Sequence, residues 1–312
     1  MGTTLHMNQL PNKKQFEEAA AELAIDPAMV EKDWQVTQVL AFISNLNLPG
    51  YKIVFSGGTS LSKAHGLIQR FSEDIDFKVI ADEEAPDRAT LSTFKNSVIN
   101  ALASAGFAVD RTSLTARDSN RFFSFNLDYN SHFAPIAGLR PHIQLEFTVA
   151  RPKLPSTEES VDSFITQLKR DAPEVDKISC VDPVEIAADK LSALVWRIPK
   201  QTQGEKPEDR SLVRHLHDLA MLESRIKGST LFPALLIDAL QQDNYRNKDI
   251  SALAPNEKFK LLLDNLTNEE EKYRAEYDTF VKSVSYATEG VVPNYDTALN
   301  AVKRLIDFVV SY

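Results

Sequence analysis

Two short features between Lys52 and Ile80 carry residue types that could do chemistry. The first is Ser56-Gly57-Gly58-Thr59, where two residues without Cβ let the backbone turn tightly and approach a ligand closely. Thr59 to Leu67 resumes with helical spacing, so the turn feeds a helix start, whose unpaired N–H groups and positive dipole end suit a phosphate. The second is Asp74-Ile75-Asp76-Phe77-Lys78-Val79, in strict alternation, which as a strand puts Asp74 and Asp76 on one face and Ile75, Phe77 and Val79 on the other. Paired carboxylates repel unless a cation joins them. Magnesium takes one or two carboxylates plus substrate phosphates, so a phosphate-cradling turn ahead of Asp-x-Asp points to metal-assisted phosphoryl or nucleotidyl transfer. Taken singly, each feature would also fit an ordinary glycine turn or a solvated strand face.

Such a site needs a third acid, to complete the metal shell or to take the proton of an attacking hydroxyl. The run Pro141 to Ala150 alternates as a strand with Glu146 on its polar face, and Asp128 holds a similar position on the candidate strand Arg121 to Tyr129. Either could also be a solvated edge residue.

The stretch GGTSLSKAHGLIQRFSEDIDF resembles the first motif of the AbiEii/AbiGii toxin family, MenT-like members of the polymerase-β-type nucleotidyltransferase superfamily, with its Gly-Gly-Thr turn, Arg-x-Ser and Asp-x-Asp. Further resemblances are Glu31-Lys32-Asp33-Trp34 upstream, EIAADKLSA from Glu185 to Ala193, and Arg214-His215-Leu216-His217-Asp218-Leu219, in which His215 stands where the family has an acid. The resemblance implies a nucleoside triphosphate (NTP) substrate with Mg²⁺ or Mn²⁺ on Asp74, Asp76 and Glu146. It favours Glu146 over Asp128, since the family's third acid follows a similar strand. It further implies triphosphate contacts from Gly57, Gly58, Thr59, Ser60, Lys63, Arg70 and Ser72, and catalytic roles for Lys190 and Asp218; with His215 in place of the first acid, Asp218 is the only acid carried over from its element, and any role that requires the pair is in doubt. A tRNA 3′ acceptor end as substrate, and a role as the toxin of a toxin–antitoxin or abortive-infection (phage-defence) pair with a cognate antitoxin encoded nearby, are also what the resemblance implies. Transfer to a small molecule or a protein, and nucleotide binding without turnover, use the same residues and stay open.

The elements that must position these residues are an α+β set. Asn12–Ala24 and Pro27–Leu46 read as amphipathic helices, and the charges of Glu31, Lys32 and Asp33 would suit a solvated turn of the second as readily as a functional element. Asp87–Ala103 is a helix, and Phe107–Ser113, Arg121–Tyr129 and Pro141–Ala150 are strands, giving a mixed sheet that the resemblance makes a polymerase-β-like core. The expected domains are residues 1–150, a linker with one helix at 151–181, and an all-helical domain at 182–312 opened by Asp182-Pro183-Val184-Glu185. Within it, Pro199–Lys206 reads as a polar loop and Pro207 as the start of a helix with Arg210, Arg214 and Asp218 on its open side, so that Lys190, Arg197, Lys200, Lys206, Arg210 and Arg214 gather in one hairpin. Tyr273, Tyr277 and Phe280 have the spacing of core contacts.

The 43% hydrophobic fraction over 312 residues is that of a globular chain with a sizeable core. The net charge of −9 argues against general nucleic-acid binding but not against a local basic surface. One cysteine, Cys180, excludes an internal disulfide and reads as a buried hydrophobe. No apolar run approaches membrane-spanning length and the start lacks a secretory core, so the expectation is a cytoplasmic protein without a membrane partner.

Overall fold

The computed structural model describes residues 10–136, 139–202, 212–286 and 292–312. The chain divides into two compact units, one of residues 1–66 and 71–181, the other of residues 67–70 and 182–312.

The first unit is built on a mixed seven-stranded sheet in the order β3-β4-β5-β2-β1-β7-β6. Its strands are β1 (Tyr51–Ser56), β2 (Asp74–Ala81), β3 (Ala108–Arg117), β4 (Phe122–Asp128), β5 (His142–Val149), β6 (Thr157–Val161) and β7 (Val175–Cys180). The β2 strand lies antiparallel to β1 and parallel to β5. Period two sorts the side chains: Ile75, Phe77 and Val79 are buried while Asp74, Asp76 and Lys78 are not fully covered. Phe77, Phe147 and Phe123 stack across neighbouring strands, with centroids 5.0 Å and 4.8 Å apart. Helices α1 (Lys13–Leu23), α2 (Pro27–Ser44) and α4 (Arg88–Ser104) belong to this unit, and Val36, Val39, Leu40, Phe94, Val98 and Leu102 of the latter two share one core with the sheet's apolar side.

Three local readings change. Residues 151–181, expected as a linker, supply two strands of the sheet: β7 runs parallel to β1 at Phe55 and Cys180, and β6 is the outer strand beyond it. The β6 sequence Thr-Glu-Glu-Ser-Val has little apolar alternation because an edge strand needs only one partner and is kept soluble by charge. The helix expected from Thr59 to Leu67 is shorter: one turn, α3 (Gly57–Thr59), passes into a π-helical turn at Ser60–Ala64. Pro199 does not open a loop, because α6 (Pro183–Thr202) continues through it. The short helix α5 (Phe164–Lys169) separates β6 from β7.

The second unit is helical, with α6, α7 (Val213–Lys227), α8 (Phe232–Asp243), α9 (Pro255–Asn268), α10 (Glu270–Val284) and α11 (Tyr295–Val310). Asp182 caps α6 by accepting from the Val184 N–H at 2.8 Å. Tyr273, Tyr277 and Phe280 are buried, as their spacing indicated. Lys206, Pro207 and Arg210 lie outside the described residues, and so does the start of a helix at Pro207. No helix among the described residues is long and apolar enough to cross a membrane. Cys180 is buried, and burial pushes its thiol up to about 12, beyond ordinary thiolate chemistry.

Phe147 sits at the centre of the aromatic stack with no exposure. Phe147→Ala should cost about 3–5 kcal/mol of unfolding free energy, measured by urea denaturation, because the cavity cannot collapse between neighbouring strands.

Candidate active site

The parallel register of β2 and β5 sets Asp76 directly beside Glu146 and Asp74 beside Gln144. Antiparallel pairing adds Ser56 on the other side of Asp76 and Ser124 on the other side of Glu146, so one row crosses four strands as Ser56, Asp76, Glu146 and Ser124. Asp128 pairs with His142, four residues along β5 from Glu146, and is exposed. The register thus brings Glu146, and not Asp128, next to the Asp-x-Asp pair. Arg140, just ahead of β5, places its Nη1 2.5 Å from both Asp74 Oδ1 and Gln144 Oε1, and the Gln144 amide donates to Glu146 Oε1 at 2.7 Å.

The glycine turn fits against this row. Gly57 has φ +76°, and a Cβ built there would lie 1.9 Å from Asp76 Oδ2, so only glycine lets the carboxylate pass. The hydroxyl of Thr59 donates to the Asp74 carbonyl, fixing the turn to the start of β2, and that of Ser60 donates to Gly57 O at 3.0 Å. Thr59 and Ser60 are both fully buried, so what this turn can offer a ligand is main-chain N–H rather than hydroxyl groups.

Behind the turn stand charges that belong to the core. Glu31, Lys32 and Asp33 are all buried, which overturns the solvated reading of this segment. The Lys32 ammonium donates to Glu73 Oε2 at 2.7 Å and to the Arg140 carbonyl, and Glu73 also accepts from the Arg140 N–H at 2.8 Å. Burial pushes the Lys32 ammonium below its usual range against the pull of Glu73. Asp33 pairs with Lys63 and accepts from the Phe164 N–H at 2.8 Å; burial pushes its carboxyl up in spite of both partners. Lys63 also donates to the Asp162 carbonyl at 2.9 Å, so this candidate phosphate ligand is engaged with α2 and the segment before α5. Glu31 accepts from His132, through both N–H and ring, and from Ser131. Ser72 is half-buried.

The helical unit contains a separate charged cluster. Asp218, expected on an open face, is fully buried and receives a two-pronged bond from Arg70 at 2.7 Å, with Lys190 at 2.9 Å from the same carboxylate. Burial alone would push its carboxyl up, but Arg70 and Lys190 outweigh it and hold Asp218 well below the usual carboxylate range. Arg70 also lies 5.7 Å from the Phe280 ring centroid. Of the cations read on that hairpin, Lys190 is buried on Asp218 and Lys200 donates to the Arg246 carbonyl at 3.2 Å, while Lys206 and Arg210 lie outside the described residues. His215, where the family has an acid, is half-buried, and its Nδ1 is sealed from solvent with no hydrogen-bond partner among the described residues. Burial, then Lys190 and Arg197, push its pKa well below the usual value of 6.5, opposed by Asp218.

Asp74, Asp76 and Glu146 fit a hard divalent cation by type and placement, with oxygen donors on one sheet face and a glycine making room beside Asp76. Among the described residues no three acids, histidines or cysteines already stand in coordinating geometry; Arg140 bonds to Asp74 and Gln144 to Glu146. Sequence reasoning missed Glu73, Arg140 and Gln144. Gln144 alternates with Glu146 and could have been read from that pattern, whereas Arg140 lies in a loop that no periodicity marks.

Gly57→Ala should strain the turn at φ +76° and displace Asp76, lowering the melting temperature and cutting turnover about 100-fold, as a misplacement near 1 Å does; thermal melts and single-turnover assays check this. The neutral His215 refuses a proton that the unfolded chain accepts below its usual pKa of 6.5, so stability should fall as pH drops from about 7 to 5. His215→Leu should flatten that slope in thermal melts, and an unchanged slope would remove His215 as its source.

No curated protein matches the sequence. Among solved structures the chain is similar to MenT4, a nucleotidyltransferase toxin from Mycobacterium tuberculosis, with a TM-score of 0.60 and 18% identity over 95% of this chain and 90% of that one. At that identity the likeness is one of fold, and the mixed sheet with C-terminal helices is a nucleotidyltransferase fold. Residues 44–301, most of the chain, match the family described as nucleotidyl transferase AbiEii toxin, type IV toxin–antitoxin system, and the chain belongs to that family.

Proposed function

We propose that this nucleotidyltransferase transfers a nucleoside monophosphate from an NTP to an acceptor hydroxyl, with the α–β phosphoanhydride bond broken and pyrophosphate leaving, with Mg²⁺ or Mn²⁺ held by Asp74, Asp76 and Glu146, and that its acceptor is a tRNA 3′ end. The observation that carries the reading is the β2–β5 register that sets Asp76 beside Glu146. A bound divalent cation supplies charge stabilisation to the attacking and leaving oxygens of an in-line displacement. The chain's own residues do the rest. The two carboxylates of β2 and that of β5 hold the metal, and the one not fully engaged takes the proton of the attacking hydroxyl. Gly57 and Gly58 bring main-chain N–H groups to the triphosphate. Lys190 and Asp218 are the functional residues of the helical unit, where Asp218 fixes both the Lys190 ammonium and the Arg70 guanidinium.

The toxin role follows the family, and a cognate antitoxin is the expected partner. The tRNA acceptor rests on the family resemblance. Placement in the cytoplasm goes with that substrate.

With each NTP radiolabelled at the α-phosphate, and Mg²⁺ present, label should enter total bacterial tRNA. Asp74→Asn, Asp76→Asn and Glu146→Gln should each cut transfer by about 100-fold or more while circular dichroism stays unchanged. Pyrophosphate release without labelled RNA would move the acceptor to a protein or a small molecule. Full activity in the Asp76 variant would overturn the metal assignment.

A further inference from the structure

The acids on this sheet face do not stand alone, and the cation beside them comes from the protein. Arg140 is anchored twice through its main chain: its N–H donates to Glu73 Oε2 at 2.8 Å and its carbonyl accepts from the buried Lys32 ammonium. Glu73 is itself held by Lys32 at 2.7 Å, with both side chains buried. The Arg140 side chain is built differently. It is 40% exposed; its Nε lies 3.7 Å from Glu73 Oε1, and its Nη1 reaches Asp74 Oδ1 and Gln144 Oε1, with Gln144 passing the contact on to Glu146. A fixed backbone under a solvent-accessible guanidinium lets the side chain turn from Asp74 by rotamer change, giving up with it the longer contact to Glu73, without disturbing the strand.

We propose that Arg140 is the resident counter-cation of the Asp74–Asp76–Glu146 face and sets its affinity for divalent metal by competing for Asp74. The inference rests on the metal reading given above. With no divalent ion bound, the guanidinium offsets the repulsion among acids on neighbouring strands, and Gln144 keeps Glu146 turned toward it. Metal uptake then requires Arg140 to give up Asp74. The released guanidinium remains a planar, permanently charged donor at the site's rim, suited to a phosphate of the incoming NTP. Arg140 is in this sense a positioning and affinity-setting residue, and its charge is what matters.

The test is Mn²⁺ binding to the full-length protein, by calorimetry and by water-proton relaxation, for wild type, Asp76→Asn, Arg140→Gln and Arg140→Lys, each checked by thermal melt. Wild type should bind Mn²⁺ and Asp76→Asn should bind it much more weakly. Arg140→Gln should bind roughly tenfold more tightly than wild type, because the competing charge is gone. Arg140→Lys, which keeps the charge, should stay close to wild type. Tight wild-type binding with no gain in Arg140→Gln, or an equal gain in Arg140→Lys, overturns the inference and leaves the metal reading standing. Equal binding by wild type and Asp76→Asn, or none by either, overturns both. Should Arg140→Gln fail to fold, Arg140→Met in the same titration decides on the same criterion, since it keeps an aliphatic stem and removes the guanidinium with its charge.

Discussion

Placing like charges on adjacent strands is the constraint around which the first unit is arranged. Asp76 and Glu146 are register partners, and Asp74 lies one pleat away on the same face, so the sheet's pairing itself forces the acids together. A sheet that only needed stability would put opposite charges or hydroxyls there. The rest of the unit answers this. The opposite face carries an unbroken aromatic stack through Phe77, Phe147 and Phe123, whose burial holds the register that the acids oppose. Ser56 and Ser124 flank the acidic pair with small neutral side chains. Gly57 contributes by lacking a Cβ altogether.

The buried charges of α2 give the site its rigidity. Three consecutive ionisable residues reach three different segments: Glu31 the stretch at Ser131 and His132, Lys32 the start of β2 and Arg140, and Asp33 the turn after β1 together with the N-terminus of α5. Buried ion pairs of this kind are poor sources of net stability, since desolvation offsets much of the attraction. What they do supply is direction. Each charge accepts only one arrangement of its partners, so the loops on either side of the acids are held at fixed points rather than packed loosely against a greasy helix.

The fold and the acidic site were legible in the sequence to different depths, for physical reasons. Strict alternation at Asp74–Val79 and at Ile143–Val149 gave both strands and the faces of their acids, because period two is a local property. Which acid stands beside which is a matter of register between strands far apart in the chain, and no local pattern encodes it. The same distance hid the meaning of Glu31-Lys32-Asp33, whose partners lie 30 to 131 residues away. Asp218 read as a residue of the helix's open side, because its partner Arg70 is 148 residues distant. The edge strand β6 was missed since polar edge sequence and linker sequence look alike.

The segment Leu67–Arg70 is surrounded by sequence of the first unit yet belongs to the helical one, where Arg70 bonds to Asp218 and the Gln69 carbonyl accepts from the Tyr286 N–H at 3.2 Å. The helical unit is therefore discontinuous and cannot be inherited, exchanged or excised as a module by cutting at residue 181. A fragment beginning at Asp182 would bury the Asp218 carboxylate beside Lys190 with its guanidinium partner missing. A fragment ending at Val181 would carry an arginine whose carboxylate was left behind. During synthesis the ribosome delivers Arg70 long before Asp218, so this piece of the helical unit must wait, solvated, for most of the chain to emerge. Recombination between relatives would preserve function only where the crossover kept that four-residue thread and the helix bearing Asp218 from the same parent.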